Sequence, residues 1–82
     1  MARILDDRPH NLVGRKVREY RIRNGMSQKD LSERLETKAV YVCRGSISRI
    51  EDGTRTVTDV ELFALAEVLG VGVQDLFCNA KN

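Results

Sequence analysis

Three glycines, Gly25, Gly53 and Gly70, each close a run of residues with helical spacing, and together they restrict the chain to a series of short helices. The starts are marked as well. Ser27 is a favourable N-cap with Asp30 in the first turn behind it. Thr58-Asp59-Val60-Glu61 is a capping box, in which threonine and glutamate each satisfy an orphan backbone N–H. Between these signals apolar residues recur three and four apart. Leu12, Val13, Val17, Tyr20 and the stem of Arg21 form one stripe, Leu31 and Leu35 a second, Ile47 and Ile50 a third, and Leu62, Leu65, Ala66 and Leu69 a fourth. The spacing predicts helices over about 12–24, with Asn11 as N-cap, then 28–36, 44–52 and from the capping box to Gly70. A last short helix over about 73–77 places Leu76 and Phe77 on or near the core. Thr37 to Val42 gives mixed signals, because Val40-Tyr41-Val42 favours extended backbone and Lys38-Ala39 favours helix, so no strand is assigned there. The all-α class follows, with residues 1–10 as an arm, 11–78 as one domain and 79–82 as a tail.

Eighty-two residues bury somewhat more than ~60% of their unfolded surface, too little for a deep enzyme cleft. Apolar content of 41% with 32% charged residues is that of a globular chain. The net charge of +2 conceals an asymmetry: residues 1–55 carry 13 Lys and Arg against 8 Asp and Glu, and residues 56–82 carry 1 against 4. A basic first two-thirds suits a polyanion, and the acidic last third is left for packing or self-association. Cys43 and Cys78 form no Cys-x-x-Cys pair, and His10 is the only histidine, so no metal-ligand spacing exists and no cofactor is expected. Both thiols are expected to be free. Without an apolar run near 20 residues, an h-region or a lipidation signal, the chain is expected in the cytoplasm, with no membrane association.

The segment Ser46-Ile-Ser-Arg-Ile-Glu-Asp-Gly53 has the pattern of a helix that shows polar groups outward. Ile47 and Ile50 share the inward face, while Ser46, Ser48, Arg49 and Arg44 point away from it. Gly45 lowers helix propensity near the start of this helix and suits a backbone approached closely by a partner. Hydroxyl and guanidinium groups on the free side are what reading base edges in a DNA major groove requires.

Three ordered segments then carry a family resemblance. Arg23-Asn-Gly-Met-Ser-Gln-Lys-Asp-Leu-Ser-Glu-Arg-Leu35, Ile47-Ser-Arg-Ile-Glu-Asp-Gly53, and Leu65-Ala-Glu-Val-Leu-Gly-Val71 with Asp75-Leu-Phe77 resemble the XRE family of helix-turn-helix regulators, the Cro and phage-repressor-like domains. The likeness covers about Leu12 to Phe77. It implies a compact bundle of five helices that binds double-stranded DNA as a homodimer, with the third helix in the major groove. By the same resemblance, Arg44, Gly45, Ser46 and Arg49 touch base edges. Gln28, Ser48 and Arg55 contact phosphates, and Gln28 also braces the third helix. Arg21 and Glu51 form a structural ion pair. The chain departs from the compact pattern between helices two and three, where Leu35 to Ile47 encloses 11 residues instead of a turn of roughly 3–4. Some XRE-like proteins share the lengthening. Tyr41, within it, is expected to cover the core edge, with a phosphate contact as the alternative.

These features point to a sequence-specific transcriptional regulator, a repressor acting as a homodimer on a two-fold operator, with Val71, Val73, Leu76 and Phe77 as the expected dimer surface. A protein-interaction module, antitoxin-like or bridging, with minor DNA contact is the alternative. No enzyme is expected, since no nucleophile-base set, paired carboxylates or phosphate-cradling loop stands out. Nor is a small-molecule substrate evident.

Overall fold

The computed structural model describes residues 9–77, and there five helices follow one another: α1 (Gly14–Arg23), α2 (Gln28–Glu36), α3 (Arg44–Asp52), α4 (Asp59–Leu69) and α5 (Val73–Leu76). The arm before Pro9, together with Cys78 and the tail 79–82, lies outside the described residues. No strand occurs among those described.

Local chemistry sets most of the helix ends. Ser27 Oγ accepts from Asp30 N–H at 3.0 Å while the Asp30 carboxylate accepts from Ser27 N–H at 3.0 Å, and Thr58 and Glu61 make the same reciprocal pair at 3.1 Å each. Gly53 and Gly70 end α3 and α4 in the left-handed region at φ 81° and 75°. The α1 start differs from expectation. Asn11 Oδ1 accepts from both Val13 N–H (3.0 Å) and Gly14 N–H (2.7 Å), so the capping side chain sits further from the first helical residue than an N-cap. Leu12 therefore precedes the first turn and is 70% exposed instead of joining the buried stripe.

These helices have 9 to 11 residues, α5 excepted, and at that length are marginal in isolation. The shared core holds them. Val17 of α1, Leu31 and Leu35 of α2, Ile47 and Ile50 of α3, Leu65 of α4 and Leu76 of α5 are all under 2% exposed. Each such burial stabilises by about 1.5–3 kcal/mol relative to exposure. α1 packs on α3, α4 and α5, and α2 packs on α3 and α4. The α1–α3 contact is backbone to backbone: a Cβ on Gly14 would land on the Ile50 carbonyl.

The lengthened connection takes a defined path. Val40 N–H reaches back to Leu35 O (3.1 Å) and Ala39 N–H to Glu36 O (2.9 Å), which closes α2 with Ala39 in the left-handed region at φ 62°. Val40 is then half-buried, Tyr41 is 74% exposed and Val42 is 3% exposed, an alternation of extended backbone. Tyr41 thus stands outside the core edge it was expected to cover, because Val40 and Val42 on either side take the inward positions.

Two exchanges of glycine and alanine should have opposite signs. Gly14→Ala forces α1 off α3 and is expected to destabilise by about 1–3 kcal/mol. Ala39→Gly removes a left-handed strain of roughly 1–2 kcal/mol, partly offset by glycine's larger unfolded-state freedom, and is expected to stabilise by about 0.5–1 kcal/mol. Urea denaturation of the two variants beside the parent chain checks both signs.

Candidate nucleic-acid interface

With Ile47 and Ile50 buried, α3 turns its opposite face outward. At 100° per residue Gly45 sits near the middle of that face, Arg44 and Ser48 fall on one flank, and Ser46 and Arg49 on the other. Arg44, Gly45 and Arg49 are exposed, and Ser46 and Ser48 are half-buried. Arg49 folds back so that Nη2 donates to Ser46 Oγ at 3.3 Å, and Cys43 Sγ lies 3.5 Å from the same hydroxyl. The Cys43 thiol is pushed down from its ordinary value, first by its hydrogen bonding with the Ser46 side chain. Gly45 has no internal reason to be glycine: a Cβ there would meet nothing nearer than Arg49 Nη1 at 4.0 Å. A helix-interior glycine costs about 1 kcal/mol against alanine.

A surface groove runs along the first flank, lined by Ser27, Gln28, Lys29, Arg44, Gly45 and Ser48. It joins two cations, two hydroxyls and the N-terminus of α2, whose first N–H groups have no intrahelical acceptor. This combination suits an anion. Lys29 was absent from the sequence-based set. Its place one residue after Gln28, at the same helix start, is the signal that would have found it.

The face is held to the scaffold by one carboxylate. Arg21 Nε donates to Glu51 Oε2 at 2.6 Å and Arg21 Nη2 to Glu51 Oε1 at 3.0 Å, while Gln28 Nε2 donates to Glu51 Oε1 at 3.1 Å. Arg21 Nη1 goes to the Met26 carbonyl at 2.9 Å. Side-chain exposures of 10% for Arg21 and 2% for Glu51 take the pair out of solvent. Hydrogen bonding to Glu51 raises the Arg21 guanidinium above its already high value. α1, the turn to α2, α2 itself and α3 meet there.

Two other expected positions make internal contacts. Arg55, expected at a phosphate, has its fork committed to Glu61, with Nη1–Oε1 and Nη2–Oε2 both 3.0 Å, and Nη1 also donates to Thr56 O at 2.9 Å. Bound to the carboxylate of the α4 capping box, it braces the α3–α4 loop. Leu76, expected at a dimer surface, is 0% exposed beneath α5, whereas Val71 and Val73 are half-buried and Phe77 is 41% exposed. Val60 and Phe63, one turn apart on α4, are 63% and 60% exposed and were not foreseen as surface residues. Among the described residues no His, Cys, Asp and Glu grouping could hold a metal ion, and no helix is long and apolar enough to cross a membrane.

Two helices in sequence, the second with a polar outer face beside the N-terminus of the first, are the arrangement of helix-turn-helix DNA-binding regulators. The helix-turn-helix family model HTH_3 matches residues 17–76, so the chain belongs to the HTH_3 family of XRE-type helix-turn-helix proteins. Among solved structures, the restriction-modification controller protein C.AhdI from Aeromonas hydrophila is similar, at 31% identity and a TM-score of 0.69 over 80% of this chain and 91% of that one. No curated protein sequence matches the chain.

Removing Arg21 leaves the Glu51 carboxylate out of solvent with only Gln28 as partner, so Arg21→Ala is expected to destabilise by about 3–5 kcal/mol in thermal or urea melts. Acid should act through Glu61, whose carboxyl is held below its ordinary value first by hydrogen bonding to Arg55. Its stabilisation is present above the unfolded value of about 4.3 and is lost as pH falls through the lowered folded value. Glu61→Gln keeps a capping-box residue without the ion pair. Its melting temperature should therefore fall less steeply than the parent's as pH is lowered through that window.

Proposed function

We propose that this protein is a sequence-specific repressor of transcription that acts in the cytoplasm as a homodimer on a two-fold operator. The observation that carries the reading is the outer face of α3, where the Arg44 and Arg49 guanidinium groups are exposed and Gly45 leaves the backbone open to close approach. In this reading Arg44, Gly45, Ser46 and Arg49 face base edges. Gln28 and Ser48 hold a phosphate in the groove beside the α2 N-terminus, joined by Lys29. Arg55 supports the interface from behind through Glu61. Val71, Val73 and Phe77 offer apolar area for a second copy, and Leu76 underlies them. Similarity to a restriction-modification controller supports gene control as the class of activity.

The test is duplex binding by the parent chain and Arg49→Ala, on a site selected from random DNA and on an unrelated duplex, across a range of salt. Affinity should fall linearly on a log–log scale, with a slope near −0.9 per phosphate neutralised. Arg49→Ala should lose about 1–3 kcal/mol on the selected site. A palindromic consensus with half-sites near one helical turn apart supports two-fold assembly. Equal and feeble binding by both proteins would instead favour a protein-interaction module.

A further inference from the structure

Tyr41 has no part in the interface so far, yet the fold displays it with care. Extended backbone turns it outward between Val40 and Val42, to 74% exposure. The display is fastened from both sides: Ser32 Oγ donates to the Val42 carbonyl at 2.7 Å, and Val40 N–H is tied to Leu35 O. Among the described residues its hydroxyl makes no hydrogen bond and nothing accounts for a fixed aromatic ring in water. Its neighbours place it beside α3. Ser32, Glu36, Cys43 and Ser46 line a depression with it, on the Ser46 flank of α3 and away from the Lys29 groove.

On the DNA-binding reading above, which this inference deepens, we propose that Tyr41 is a specificity-determining residue that enters the major groove beside the start of α3 and packs its ring against the C5-methyl group of a thymine. The depression decides between base and backbone. No Lys or Arg lines it, the Arg49 guanidinium being turned onto Ser46 Oγ at its edge, and the Glu36 carboxylate within the lining would repel a phosphate. An aromatic ring beside a thiol and a hydroxyl instead suits the one apolar group on a major-groove edge. Because the turn is already ordered, placing the ring costs little further entropy.

The test uses the full chain, its selected duplex, the same duplex with uracil replacing thymine one position at a time, and an unrelated duplex. Tyr41→Phe should bind like the parent. Tyr41→Ala should bind the selected duplex roughly tenfold more weakly and the unrelated duplex equally. For the parent chain, one uracil position per half-site should reproduce that loss, and the same substitution should cost Tyr41→Ala nothing more. The uracil series needs no variant, so it reads the contact even if Tyr41→Ala folds poorly. No uracil-sensitive position, or an equal loss by Tyr41→Ala on selected and unrelated duplexes, overturns the proposal. If the parent chain does not prefer its selected duplex, the DNA-binding reading fails and takes this inference with it. If the parent prefers that duplex and Arg49→Ala weakens it while Tyr41→Ala does not, Tyr41 alone is refuted.

Discussion

One carboxylate, Glu51, settles how the outer face of α3 is presented. It accepts from Arg21 of α1 and from Gln28 of α2 while lying almost wholly out of solvent. A charge so placed is tolerated only with its partners in position, so the network specifies an arrangement more than it adds net stability. Arg21 also binds the Met26 carbonyl, which fastens the turn between α1 and α2 to the same point. At the same C-terminal end of α3, Asn11 Nδ2 donates to the Ile50 carbonyl at 3.0 Å and to the Arg55 carbonyl at 2.8 Å, and His10 N–H donates to Gly53 O at 2.7 Å. α3 is thus held by polar contacts at its C-terminal end and by Ile47 and Ile50 along its inward face.

This anchoring separates the polar residues of one short helix into two kinds. Glu51 looks inward and is fully engaged, whereas Arg44 and Arg49 look outward with no acidic partner among the described residues. The separation matters because a guanidinium already paired to a carboxylate has less to offer a base edge or a phosphate. Arg55 illustrates the point. By residue type it suits a phosphate, but the bidentate pair with Glu61 gives it an internal task. Gln28 stands between the two kinds, since it donates to Glu51 while lining the groove that faces outward.

What the sequence made legible was mostly local. The limits of α2 and α3 follow from Ser27, Gly53 and the apolar pairs, whose physics lies within a turn or two of chain. The family resemblance supplied the Arg21–Glu51 pairing, which no spacing rule could have found across 30 residues of chain. Three things were not legible. The exposure of Leu12 depends on where Asn11 chooses to cap. The path of residues 37–43 depends on Ala39 accepting a left-handed conformation and on Val42 finding the core, both decided by tertiary packing. The Arg55–Glu61 pair depends on the loop returning to the start of α4. In each case local propensity was neutral or mixed, and long-range contact made the decision.

The central claim is that DNA meets the outer face of α3 with the α2 N-terminus and the turn before α3. Backbone amide NMR during titration with the selected duplex tests it most directly. The account predicts that the largest shifts cluster at Gln28, Lys29 and residues 41–49, with small changes along α4 and α5. Shifts concentrated on Val60, Phe63 and Phe77, with α3 unmoved, would contradict it.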